Sequence, residues 1–127
     1  MLQIDKLSWN DRLHDISLTV NRGEIVGLGG LDGQGQRELL LALFGVLRGC
    51  SGTVAIDGKP QRIASPRHAK SSDVGMALIP EDRKTEGLML PMSVGDNVSL
   101  SALSTLTNGL VIDREAEAAR VREMVAK

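Results

Sequence analysis

An α/β layered domain organised around a phosphate-binding loop is the fold class this sequence predicts, and three observations predict it. Glycines crowd between a short apolar run and a helical apolar pattern, at Gly27, Gly29, Gly30, Gly33 and Gly35. Runs with strand-like and helix-like periodicity alternate along the chain. The composition is globular, with 42% hydrophobic residues, 2% aromatic ones and a net charge of -1 over 127 residues. With one Trp, one Phe and no Tyr, the core must be aliphatic.

The elements follow in order. Leu2, Ile4 and Leu7 suggest a first strand. Ile16, Leu18 and Val20 alternate with Ser17 and Thr19 and make a clearer one. Asn21-Arg22-Gly23 reads as a turn. Residues 24–28, with Ile25, Val26 and Leu28, read as a buried strand leading into the glycines. From Gln36 the spacing of Leu39, Leu40, Leu43 and Phe44 is helical, and Gly45 and Gly49 bracket its end.

Residues 52–56 are strand-like, Asp57-Gly58 is a tight-turn pair, and residues 61–63 are the expected return. Ser65-Pro66 is an N-cap and first-turn proline, with a short helix expected through Ala69 to Ser72. Residues 74–79 read as a strand ending at Pro80, and a charged loop follows from Glu81 to Gly87. Ser93 begins a helix with Val94, Val98 and Leu103 on one side. Asp113 caps a last helix running to Lys127, with Ala116, Ala119, Val121 and Met124 turned inward.

The near-neutral charge gives no electrostatic reason to expect nucleic acid or an anionic membrane as the main partner. No apolar run approaches the ~20 residues that span a bilayer, and the first residues lack the layout of a signal peptide. A single Cys50 suits a reducing compartment and reads as structural. His14 and His68 have no partners at metal-ligand spacing and read as surface or turn residues.

The chemistry lies in Gly30, Leu31, Asp32, Gly33, Gln34, Gly35, Gln36 and Arg37. Glycines allow backbone N–H groups to approach an anion, and the following helix adds its dipole and free N–H groups. The usual pattern, G-x-x-x-x-G-K-[ST], ends in a lysine for the phosphates and a hydroxyl for magnesium. Both end glycines are present, but Gln36 replaces the lysine and Arg37 the hydroxyl residue. Glutamine donates a hydrogen bond without charge, and arginine cannot ligate magnesium. Phosphate contact can therefore survive where metal positioning does not.

Several stretches together resemble the ATP-binding subunits of ABC transporters. They are residues 23–27 before the loop, residues 51–59, and Ile79-Pro80-Glu81-Asp82-Arg83-Lys84 continuing through Gly87-Leu88 to residues 93–100. The arrangement is similar to the second of two tandem ATPase domains in bacterial importers of ribose, galactose, xylose and related sugars. The resemblance implies a P-loop NTPase core with a small antiparallel β subdomain over about residues 1–90, and the start of a helical subdomain over about residues 91–127. It implies ATP with Mg2+ as cofactors and Trp9 as the aromatic stacked on adenine. Glu81 matches a glutamine that senses magnesium, in a loop that touches the membrane subunit.

The implied partners are a second ATPase domain, sugar permease subunits and, indirectly, a periplasmic sugar-binding protein, with no nucleic acid. The implied location is cytoplasmic, on the inner face of the membrane. The family's signature stretch, Asp-Glu strand end (Walker B) and switch histidine do not occur in this chain. The expectation is thus a partial domain without catalytic residues, with some apolar surface left exposed. Two alternatives stand beside it. One is an interaction module docking on a permease without nucleotide. The other, a P-loop kinase or small GTPase, is disfavoured by the missing lysine and hydroxyl and by the absence of an Asn-Lys-x-Asp motif.

Overall fold

A computed structural model describes all 127 residues, Met1–Lys127. They form two units, Met1–Leu78 and Ile79–Lys127.

The first unit is built on β1 (Leu2–Trp9), β2 (Leu13–Val20), α1 (Gln36–Leu43), β3 (Ser51–Ile56), β4 (Lys59–Gln61) and α2 (Pro66–Ala69). The strands make one antiparallel sheet in the order β2-β1-β3-β4. Pairing of Ile4 with Leu18 and of Ile4 with Val54 sets the register, and bulges near Lys6 interrupt both ladders. Gly52 sits at this irregularity with φ +91, and a Cβ there would strike the Lys6 carbonyl oxygen. One face of the sheet carries the core: Ile4, Leu7 and Leu13 bury against Leu39 and Ala42 of α1. The helical spacing of the leucines is what turns Leu39 inward while leaving Leu40 46% exposed.

Local chemistry fixes several ends. The Ser65 hydroxyl accepts from the His68 N–H at 3.2 Å, with Pro66 in the first turn of α2. The helix starts at this cap, as the sequence suggested, and ends at Ala69, short of the Ser72 expected. The hairpin also returns earlier than expected, at Lys59–Gln61, since Asp57-Gly58 takes both turn positions with φ +49 and +76. Asp57 accepts from the N-terminal ammonium at 2.6 Å and from Arg22 at 2.8 Å, and these bonds hold its carboxyl below the usual aspartate range.

Two expected strands are absent. Residues 24–28 and 74–79 pair with nothing. Ile25 is 98% exposed and Ile79 92%. A buried parallel strand needs neighbours on both edges and cover on both faces; neither segment finds a neighbouring strand, and residues 24–28 have no cover either, although Val74 is buried.

The second unit holds a single π turn at Arg83–Gly87, α3 (Val94–Leu100), a 3-10 turn at Leu103–Thr105, β5 (Thr107–Asn108), β6 (Val111–Ile112) and α4 (Arg114–Val125). The charged loop becomes the π turn because Asp82 caps it, accepting from the Lys84 N–H at 2.9 Å and the Thr85 hydroxyl at 2.8 Å. Those bonds lower the Asp82 carboxyl below its usual range. Ser93 and Asp96 form a reciprocal capping box on α3. Asp113 caps α4 through the Glu115 and Ala116 N–H groups. The α3–α4 packing seals Ser99, whose hydroxyl donates to Glu117 at 2.7 Å. Ala116 and Val121 are half-buried, but Ala119 and Met124 are exposed, contrary to the inward packing expected. The small β5–β6 hairpin was not expected, although Asn108-Gly109 is a tight-turn pair. No helix is long and apolar enough to cross a membrane.

Candidate functional site

The glycine segment precedes α1, so Gly35 is the N-cap of the helix, with φ +100 and no side-chain cap bond. A Cβ on Gly35 would lie 3.0 Å from the Arg12 carbonyl oxygen and 3.2 Å from Leu13 Cδ2. The tight approach of the β1–β2 turn therefore requires glycine here, beyond the conformational demand of the positive φ. Apart from the tight turn across Asp32 and Gly33, no hydrogen bond within the protein uses a backbone N–H of Gly29, Gly30, Leu31, Asp32, Gly33 or Gly35. Those donors and the start of α1 form a region prepared for an anion.

A cleft of about 500 Å³ adjoins the loop. Gly27, Gly29, Gly30, Gly35 and Gln36 line one part of it, and Leu13, Ile16, Leu18 and Leu39 another. Arg12 and Gln34 are among its polar lining residues. The structure thus brings Gly30, Gln34, Gly35 and Gln36 together at one cleft. Leu31, Asp32 and Gly33 are exposed on the loop, and Leu31 is 77% exposed. Arg37 is exposed on the first turn of α1 and does not line the cleft.

Gln36 does not reach outward as the expected lysine would. Its Nε2 donates to the Leu31 carbonyl at 3.3 Å, and the carboxamide lies over Gly30. The glutamine closes the loop on itself instead of supplying a charged contact. Trp9 is half-buried against the core cluster, and its indole N–H donates to the Arg48 carbonyl at 2.9 Å. That bond fixes the ring edge while leaving the π face as the part able to stack. Trp9 is not among the cleft's lining residues. Glu81 belongs to the second unit, between Pro80 and the Asp82 cap, and is exposed.

The backbone therefore fits a phosphate chain. The loop itself offers no hydroxyl to ligate magnesium, because Gln36 and Arg37 stand at the last two positions of the motif. Sequence reasoning missed Arg12, which the β1–β2 turn brings to the loop. Its Nη1 donates to the Gly33 carbonyl at 3.5 Å. No local signal marks it, because the two segments meet only through the sheet.

Comparison with known proteins agrees with this geometry. The ABC transporter family profile matches residues 13–127. A ribose import ATP-binding protein of Mesorhizobium japonicum is 68% identical over 124 residues, covering 98% of this chain and 24% of the relative. One from Rhizobium etli is 57% identical, with the same coverage of 98% and 24%. A xylose import ATP-binding protein of Ralstonia nicotianae is 43% identical over 107 residues, covering 84% of this chain and 20% of the relative. The chain thus spans about a quarter of the length of the curated relatives it matches most fully. No solved structure matches it. With the family profile covering most of its length and a glycine loop opening onto a helix N-terminus, the chain belongs to the ABC transporter family, and its fold class is the P-loop α/β type.

Proposed function

We propose that this chain is the nucleotide-binding, energy-coupling part of an ABC importer for a monosaccharide. The observation that carries the reading is the set of unbonded N–H groups of Gly29, Gly30, Leu31, Asp32, Gly33 and Gly35 beside the α1 N-terminus. The names of the relatives, ribose and xylose import ATP-binding proteins, supply the substrate class. Gly30, Leu31, Asp32, Gly33, Gln34 and Gly35 offer backbone donors to the phosphates of ATP, and the start of α1 at Gln36 and Arg37 adds its dipole. The Trp9 face stacks on adenine. ATP, when bound with Mg2+, supplies the free energy that the importer couples to transport. Glu81 contributes by chemistry alone, as a carboxylate suited to a hard cation. The chain resembles the first half of the second of two ATPase domains, acts with the other domain and with permease subunits, and works on the cytoplasmic face of the membrane.

The test is a titration followed by the fluorescence of Trp9, the single tryptophan. ATP is expected to quench it, and Gly33→Asp, at a loop position with open space around an added Cβ, to abolish the quench while the far-UV spectrum is retained. The substitution sets a carboxylate against the phosphates at a left-handed position that Asp can adopt. Glu81→Ala should weaken the magnesium-dependent part of the affinity. No response to ATP would favour the second reading, a docking module without nucleotide, which the inward fold of Gln36 and the packing of Trp9 support.

A further inference from the structure

The loop has phosphate geometry but no cation of its own aimed at the cleft. Gln36 takes the position of the usual lysine and turns its carboxamide to Leu31. Arg37 does not line the cleft. A polyphosphate chain carries several negative charges, and backbone dipoles alone balance only part of them.

Arg12 fills that gap from outside the motif. It stands in the turn between β1 and β2, where its N–H donates to the Trp9 carbonyl at 3.1 Å. Its own carbonyl packs against Gly35, so the backbone is fixed between the sheet and the last loop glycine. Arg12 is one of the residues lining the cleft, together with Gly29, Gly30, Gln34 and Gly35. One nitrogen rests on the Gly33 carbonyl at 3.5 Å, a distance at the weak limit of a hydrogen bond. Among the described residues, no carboxylate pairs with it. A permanently charged planar fork with most of its donors unused, held at a glycine loop, suits two phosphate oxygens better than a point charge would.

We propose that Arg12 is the phosphate-binding cation of this site, replacing in space the lysine missing from the loop, and that the ligand it recognises is the phosphate chain of a nucleoside polyphosphate. This rests on the nucleotide reading given above. In the absence of ligand the guanidinium parks on Gly33. When phosphate binds, it leaves that carbonyl for the phosphate oxygens, and the weak parking contact costs little to break. Arg12 shares its turn with Trp9, so one short segment sets both the base-stacking and the charge-neutralising group.

The experiment measures affinities of adenosine, ADP, ATP and tripolyphosphate by calorimetry for the full chain and for Arg12→Gln and Arg12→Lys, with melting curves for each. Arg12→Gln is expected to weaken ATP roughly 5- to 10-fold, in the range for one charge-assisted contact at an exposed site. Adenosine affinity and melting temperature should not change, Arg12→Lys should recover part of the loss, and the loss should shrink at high salt. Unchanged ATP affinity, or an equal loss for adenosine, overturns the role of Arg12 while the nucleotide reading stands. Wild-type chain that binds neither ATP nor ADP overturns both. Tripolyphosphate bound as tightly as ATP, with no adenosine binding, overturns the nucleoside part.

Discussion

β2 and residues 24–28 are separated only by the Asn21-Arg22-Gly23 turn, and both are rich in Val, Ile and Leu, yet only β2 is a strand. The difference lies in what each needs. β2 alternates apolar and polar residues, so one covered face and one partner suffice. Its partner β1 is its immediate predecessor in sequence and pairs with it through a short turn. Residues 24–28 form a continuous apolar run of the kind that central parallel strands carry. Such a strand pairs with segments distant in sequence, and no such pairing forms here: residues 74–79, the other run of this kind, are also unpaired. Apolar content proposes a strand, and the availability of a partner decides it.

The largest effect that tests this contrast is in the sheet. Leu13 is 2% exposed at the centre of the core cluster. Leu13→Ala should cost about 2–5 kcal/mol in denaturant unfolding, enough to unfold much of the first unit. A loss below 1 kcal/mol would show that the sheet does not anchor this unit as its packing indicates.

A smaller effect is electrostatic, at Asp57. Its folded pKa lies below its unfolded value, through the N-terminal ammonium and then Arg22. The stability it adds is therefore present above the ordinary aspartate range and is lost as pH falls through the lower folded value. Asp57→Asn, which tolerates the positive φ of 49° at this position, should flatten the acid side of the stability profile without moving the neutral midpoint far. An unchanged acid limb would remove this contact from the account of the sheet's edge.

The smallest expected effect completes the contrast. Ile25 is as apolar as Leu13 but 98% exposed. Ile25→Ala should change stability by less than about 0.5 kcal/mol, the usual range for surface positions. A larger loss would mean that residues 24–28 are covered in solution, for instance by pairing with another chain.

The same contrast explains what could be read in advance. Caps and turns rest on a few adjacent residues, so Ser65-Pro66, Asp57-Gly58, the start of the helix at Ser93 and the Asp113 cap were legible at once. Leu39 and Leu43 were legible on the core side of α1 from leucine spacing, whereas Leu40 is exposed and Ala42 is buried instead. The phosphate loop was legible as a run of glycines before a helix, with its missing lysine and hydroxyl. The collapse of residues 24–28 was not, because periodicity reports burial demand and not whether the demand is met.

By itself, then, the sequence determined the local elements whose hydrogen bonds close within a few residues, and the glycine spacing whose conformational freedom a phosphate loop requires. Tertiary structure alone decided which apolar runs became strands, since pairing needs a second segment. It alone turned Gln36 back onto Leu31 and brought Arg12 to Gly33 and Gly35 across the sheet. The charge a phosphate site needs is a matter of distance in space, and residue spacing along the chain does not record it.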